Sequence, residues 1–313
     1  MRTGRASALT DTGRRRPQNE DTFVCDPPLF AVADGVGGAQ AGEIASRLAA
    51  SALEERPPAA LGEETLAELL RVANDRIYQH ALIDPAAAGM GTVVTALLVD
   101  EAAGTIAIGH VGDSRAYRLR EGALEQLTPD HSLVGELVRA GRLSTEEAEQ
   151  HPHRSVITRA VGTEPLVEVE TLTVVAAPGD LYLICSDGLT DIVRDGQIAE
   201  LIVAADHDPD AAAESLVAAA NAAGGIDNIT VVLFEIVVGE PIPLPEPPAE
   251  AEPYEPGEPD DDTMEQALEE PEVPPAVPVQ RHGAGPGSRW LALAAIVLTV
   301  AVAALVVWWS LTR

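Results

Sequence analysis

Phe30-Ala-Val-Ala-Asp-Gly-Val-Gly-Gly38 runs four apolar residues into an aspartate and then into glycine. An Asp-Gly step after a strand is a strong hairpin signal, and taken alone it means only a turn. The same junction recurs, however. Ile108-Gly-His-Val-Gly-Asp-Ser-Arg115 sets Asp113 at the end of an apolar run, Tyr182-Leu-Ile-Cys-Ser-Asp-Gly-Leu-Thr-Asp191 does the same for Asp187, and Gly225-Ile-Asp-Asn-Ile-Thr-Val231 places Asp227 just before one. Strands ending on the same side of a sheet would gather these carboxylates in one place. Clustered carboxylates repel one another unless cations are present, and ligands that are all oxygen suit magnesium or manganese rather than zinc.

Around these junctions, strand-like runs fall at 22–25, 29–33, 92–99, 105–111, 116–120, 167–175, 181–185 and 229–237, several of them β-branched and continuous. Amphipathic helical patterns occupy 42–55, 63–80, 132–140 and 211–223, with Pro57, Pro58 and Gly141 as stops. Strands come in groups and helices in blocks, without regular βαβ alternation. That pattern predicts an α+β fold of antiparallel sheets flanked by helices.

The chain has 313 residues and divides into unlike parts. Residues 1–238 have the mixed apolar and charged texture of one folded domain, long enough for a large core. Residues 239–288 are proline-rich and carry 13 Asp or Glu against the single Arg281, which predicts an extended, disordered linker. Residues 289–311 contain an uncharged stretch from Trp290 to Leu311, with Trp at both ends. At ~1.5 Å per residue it crosses a hydrocarbon core of about 30 Å, so a single transmembrane helix is expected there, followed by a short tail at 312–313. Arg281, His282 and Arg289 precede the span and only Arg313 follows it. The bias places the N-terminal domain in the cytoplasm, at the cell membrane.

The formal charge is −30, and a surface so acidic repels nucleic acid. Cys25 and Cys185 stand alone and far apart, giving neither a disulfide framework nor a zinc site. No Arg-bearing loop follows either cysteine and no nucleophile elbow is present, so neither a thiol nor a serine nucleophile is indicated. His110, His131, His151 and His153 do not fall at zinc-ligand spacing, and His110 reads as a hydrogen-bonded core imidazole.

An ordered set of motifs goes further: Thr10-Asp-Thr-Gly-Arg-Arg-Arg-Pro-Gln-Asn-Glu-Asp21, Ala33-Asp-Gly-Val-Gly-Gly38, Gly89-Met-Gly-Thr92, Gly112-Asp-Ser-Arg115, Ser186-Asp-Gly-Leu-Thr-Asp191 and Asp227-Asn-Ile-Thr-Val231. In this order and spacing, across residues 3–236, the sequence resembles the metal-dependent PPM-type (type 2C) serine/threonine protein phosphatases, in particular the bacterial membrane-anchored members. The resemblance implies a central β-sandwich covered by helices on both faces, with two divalent ions, Mn2+ or Mg2+, at one edge. It assigns Asp34 to both metals and the Gly35 carbonyl to one of them. Asp187 and Asp227 hold the other, and Glu20 and Asp21 contribute directly or through water. A third, weaker site is also implied, with Asp113, Asp191 and Ser155 as candidate ligands. Arg16 matches the phosphate-binding arginine, whose fork suits phosphate oxygens. Residues 131–150 match a mobile flap, and Val36 stands where many eukaryotic relatives have a histidine.

The function so implied is hydrolysis of phosphoserine and phosphothreonine on proteins by a metal-bridging hydroxide, with Arg16, Asp34 and Asp187 as catalytic residues. Its expected partners are phosphorylated proteins, serine/threonine kinases and their substrates among them. The alternative is an inactive metal- or phosphopeptide-binding module tethered at the membrane.

Overall fold

The computed structural model describes residues 1–37, 41–55 and 61–239. The chain divides into two units, Met1–Leu244 and Pro245–Arg313, and all described residues belong to the first. The linker expected at 239–288, apart from its first residue, and the apolar span at 289–311 lie outside the described residues. Among the described residues, no helix is long and apolar enough to cross a membrane.

Among the described residues, ten strands form two five-stranded sheets. One sheet contains β2 (Asp21–Asp26), β3 (Leu29–Val36), β4 (Gly91–Asp100), β5 (Thr105–Val111) and β8 (Glu170–Val175), in the order β2-β3-β4-β5-β8. The other contains β1 (Arg2–Asp11), β6 (Arg115–Arg120), β7 (Ala123–Gln126), β9 (Leu181–Cys185) and β10 (Ile229–Val237), in the order β1-β10-β9-β6-β7. Every ladder is antiparallel. The sheets meet through side chains such as Val32, Ile106, Ile108, Ile184 and Val232, and Phe30 stacks on Phe234 at 4.0 Å between ring centroids. These central strands are apolar on both faces because each sheet also carries helices on its outer side. The helices α1 (Ala41–Glu54) and α2 (Glu63–Ile83) cover the first sheet. The second is covered by α6 (Asp195–Ala204) and α7 (Pro209–Ala222). The result is the expected α+β sandwich with helices outside both sheets.

Besides β7, α5 (Asp187–Thr190) and α6, which the sequence reading did not delineate, three features differ from it. First, β1 carries few β-branched residues and reads as irregular, yet it pairs along its length with β10, so long-range pairing supplies what local preference lacks. Second, β8 starts at Glu170 rather than 167, because Val167 and Val169 turn inward onto the helix-covered core instead of joining the ladder. Third, the segment between residues 131 and 158 holds two short helices, α3 (Leu133–Arg139) and α4 (Thr145–Glu149), where the sequence pattern gave one. Ser132 and Ser144 cap them, accepting from Gly135 N–H and Glu147 N–H, and Glu147 completes a capping box.

Candidate active site

The carboxylates gather at one end of the sandwich, with both sheets contributing. Asp21 opens β2 and faces Asp34 near the end of β3, its register partner. From the other sheet, Asp187 follows β9 at the start of the short helix α5 (Asp187–Thr190), and Asp227 lies two residues before β10, the strand paired with β9. Asp113 lies on the connection that crosses from β5 of one sheet to β6 of the other.

Close backbone approaches bring these strand ends together. Gly35 N–H donates to the Glu20 carbonyl (3.2 Å), and a Cβ on Gly35 would lie 2.3 Å from the Gly42 carbonyl oxygen. Only a bare backbone therefore lets the start of α1 close over β3. Thr92 Oγ1 donates to the Asp34 carbonyl at 2.7 Å, fixing the peptide that joins Asp34 to Gly35. On the opposite side a Cβ on Gly188 would lie 1.9 Å from the Asn228 carbonyl oxygen, so the Asp187 turn packs directly on the Asp227 loop.

Hydroxyls and amides orient the first acidic pair. Asn19 Nδ2 donates to Thr10 Oγ1 at 2.8 Å, Thr10 Oγ1 lies 2.7 Å from Thr230 Oγ1, and Thr230 Oγ1 donates to Asp21 Oδ2 at 2.6 Å. Because the amide nitrogen can only donate, the chain runs in one direction, toward the carboxylate. Ser186 Oγ adds a second donor to Asp21 Oδ2 at 2.9 Å. Asn228 secures the neighbouring loop, accepting from Glu20 N–H and donating to the Thr12 and Gln18 carbonyls.

Electrostatically the cluster is short of positive charge. Burial pushes Asp21 up to about 6, against the pull of the Thr230 and Ser186 hydroxyls. Burial, with Asp21 next, holds Asp34 well above its ordinary value, and burial with Asp113 does the same for Asp187. Asp113 rises to about 7 through burial and the nearby Asp130. Glu20 and Asp191 are also raised, again mainly by burial. Among the described residues, the ion pair made by this cluster is Arg16 Nη2 to Asp227 Oδ2 at 2.7 Å. The Asp21 Oδ1 atom is buried and has no hydrogen-bond partner.

Such a donor set fits divalent cations: all-oxygen, mutually repulsive, and with an orphaned carboxylate oxygen. Among the described residues, no three acidic, histidine or cysteine side chains are already drawn to one point at ligating distance. Proximity and shared repulsion therefore carry the case, and the geometry is not a closed cage. Asp34, Gly35, Asp187, Asp227, Glu20 and Asp21 lie at the same end of the sandwich, and the charges of Asp113 and Asp191 act on Asp187. Ser155 is exposed in a turn and forms no side-chain hydrogen bond with Asp113 or Asp191 among the described residues, although the charge of neighbouring Arg154 reaches Asp191. His110 is a core imidazole, bonded to Thr95 Oγ1 and the Pro129 carbonyl. The orienting residues Thr10, Asn19, Thr92, Ser186, Asn228 and Thr230 carry no charge signal in sequence; their place inside the motifs was the available cue.

Comparison with known proteins agrees with this geometry. The family profile described as Protein phosphatase 2C matches residues 19–219. The serine/threonine protein phosphatase PstP of Mycobacterium tuberculosis is 42% identical over 240 residues, covering 74% of this chain and 45% of that protein. The chain thus spans less than half the length of that relative. The serine/threonine phosphatase stp of Listeria monocytogenes is 39% identical over 242 residues, covering 74% of this chain and 95% of stp. The crystal structure of the PstP catalytic domain in complex with 2 manganese ions superposes with a TM-score of 0.68 at 37% identity, covering 75% of this chain and 98% of that one. With acidic strand ends from two sheets meeting at one seam and the family's profile running through Asp21, Asp34, Asp113 and Asp187, the chain belongs to the protein phosphatase 2C family.

Proposed function

We propose that this chain hydrolyses phosphoserine and phosphothreonine on proteins, using two divalent cations, Mn2+ or Mg2+, at the seam between the sheets. The observation that carries this reading is the convergence of Asp21, Asp34, Asp187 and Asp227 with one arginine, Arg16, beside them. Asp34, the Gly35 carbonyl, Asp187, Asp227, Glu20 and Asp21 would hold the cations, with Asp113, Asp191 and Ser155 at a third site. What bound cations contribute there is a nucleophile available near neutral pH and neutralised phosphoryl charge. The protein's own part is positional. Hydroxyls fix Asp21, Thr92 fixes the Asp34–Gly35 peptide, and Arg16, with a half-exposed side chain, is free to exchange Asp227 for a phosphoryl group.

The chain acts, on this proposal, from the cytoplasmic face of the cell membrane, held by the apolar span at 289–311 through the acidic linker, as a membrane-anchored member of the family. If flexible at ~5–6 Å × √n, a linker of about 50 residues reaches roughly 35–40 Å, and proline and charge extend it. That reach favours membrane serine/threonine kinases and their activation segments as substrates. The test is phosphate release from a phosphothreonine peptide by the full chain in detergent, with manganese and with excess chelator. Manganese-dependent release is expected, and full activity after chelation overturns the proposal. Binding of the peptide without hydrolysis under any divalent metal favours the inactive tethered module.

A further inference from the structure

We propose that His131 is a positioning residue that ties the pose of the 132–157 excursion to the Asp113 carboxylate through the peptide of Gly112. The inference rests on the phosphatase reading above and adds to it a residue outside the acidic motifs.

The turn that carries Asp113 is held after it by Thr95 Oγ1, which donates to the Ser114 carbonyl at 2.8 Å, and before it at Gly112. Gly112 adopts φ +116, a conformation open to glycine, and its Cα packs so closely on Val93 that a Cβ would lie 2.1 Å from the Val93 Cβ. Val93 is itself the register partner of Asp34. Both polar groups of the Gly112 backbone go to His131: Gly112 N–H donates to His131 Nδ1 (3.1 Å), and His131 N–H donates to the Gly112 carbonyl (2.7 Å). Since Nδ1 accepts, the ring proton sits on Nε2, which donates to Glu170 Oε2 at 2.9 Å. Glu170 opens β8 and pairs with His110 of β5, whose ring lies 4.6 Å from that of His131. The imidazole is fully buried and its orientation is set from the sheet.

The same residue is the neck of the excursion. His131 accepts from Thr158 N–H at 2.8 Å, Ser132 bridges Ile157, and Leu133 N–H donates to the Val156 carbonyl. Beyond this neck lie α3, α4 and Arg154, the residue whose charge reaches Asp191. A movement of the excursion at its root must therefore pull on Gly112, and with it on Asp113.

Two substitutions separate the latch from mere packing. In His131→Asn the amide oxygen takes the place of Nδ1, keeping the acceptor for Gly112 and losing the Glu170 contact. In His131→Gln the amide reaches Glu170 and leaves the Gly112 N–H without an acceptor. Both are made in the full chain and followed by manganese titration using electron paramagnetic resonance, by hydrogen exchange of the Gly112 amide, by phosphopeptide kinetics and by thermal unfolding. His131→Gln is expected to weaken manganese uptake and lower kcat by about 10-fold or more, with KM for the peptide unchanged and Gly112 exchanging faster. His131→Asn should stay within about twofold of wild type at a similar melting temperature. Equal losses in the two variants, or no loss in His131→Gln, overturn the proposal. If the wild-type chain hydrolyses nothing, the phosphatase reading fails alone, because the manganese and exchange measurements still decide the latch.

Discussion

Asp21 and Asp34 stand opposite each other on one rung of the β2–β3 ladder, two carboxylates in register at the end of a sheet. Like charges in that relation oppose folding. Asp34→Asn is therefore expected to raise the stability of the chelated protein by about 1 kcal/mol, or about 2–4 °C in melting temperature. The same change should lower phosphate release by about 100-fold or more and remove most of the stabilisation that manganese gives. Melting curves with and without manganese check it; a variant less stable than wild type in chelator would refute the repulsion argument.

Metal uptake should be linked to protons. Asp21 titrates near 6 and Asp113 near 7 without metal, both raised from an ordinary 3.8 by burial first. A carboxylate raised in the folded state adds stability that is full below its unfolded value and is lost as pH rises through the folded one. The metal-free protein should accordingly gain stability as pH falls from about 7 toward 4, while apparent manganese affinity declines over the same interval. Calorimetric titration at pH 6, 7 and 8 in buffers of different ionisation heat should show proton release that shrinks toward pH 8. Affinity independent of pH would contradict the assignment.

Arg16 donates to Asp227 at 2.7 Å from the mouth of the site. Its planar fork can hold two phosphoryl oxygens, whereas an ammonium presents a point charge. Arg16→Ala should raise KM for a phosphopeptide by about 10-fold, and Arg16→Lys should recover only part of that. Steady-state kinetics at saturating manganese distinguish this from a loss confined to kcat, which would assign Arg16 another role.

Away from the site, Asp180 is 1% exposed and accepts from two nitrogens of Arg120 at 2.6 Å. Burial works against its charge, but the Arg120 fork and the Ala177 N–H outweigh it and hold the carboxyl below its ordinary value. Stability from such a group is present above the unfolded value and is lost as pH falls through the folded one. Asp180→Asn should cost about 2 kcal/mol at pH 7, with the gap from wild type closing below about pH 4. A constant difference across that range would show that the effect is packing alone.

Deleting residues 289–313 should leave hydrolysis of a soluble phosphopeptide unchanged and slow dephosphorylation of a kinase embedded in vesicles by about 10-fold or more. Parallel assays of both substrates decide this, and an equal change in the two would argue against a tethering role.

What was legible in the sequence follows from how each feature is encoded. Strands β3, β5, β9 and β10 are largely apolar runs, and Asp34, Asp113, Asp187 and Asp227 mark their ends, so the acidic end of the sandwich could be read directly. The edge strand β1 could not, because Arg2–Asp11 owes its form to β10, more than 200 residues away. Similarly, a one-helix pattern at 132–140 hid the α3–α4 pair, whose boundaries are set by the caps Ser132 and Ser144. The hydroxyl chain from Thr10 through Thr230 to Asp21 and the His131 latch join residues distant in sequence through neutral groups. Neither charge nor periodicity reports such contacts.

Because Asp21 and Asp34 belong to one sheet while Asp187 and Asp227 flank the other, ions bound among them would act as a clasp between two leaves whose shared interior is hydrocarbon. Metal supply would then govern the stiffness of that open margin as well as its chemistry.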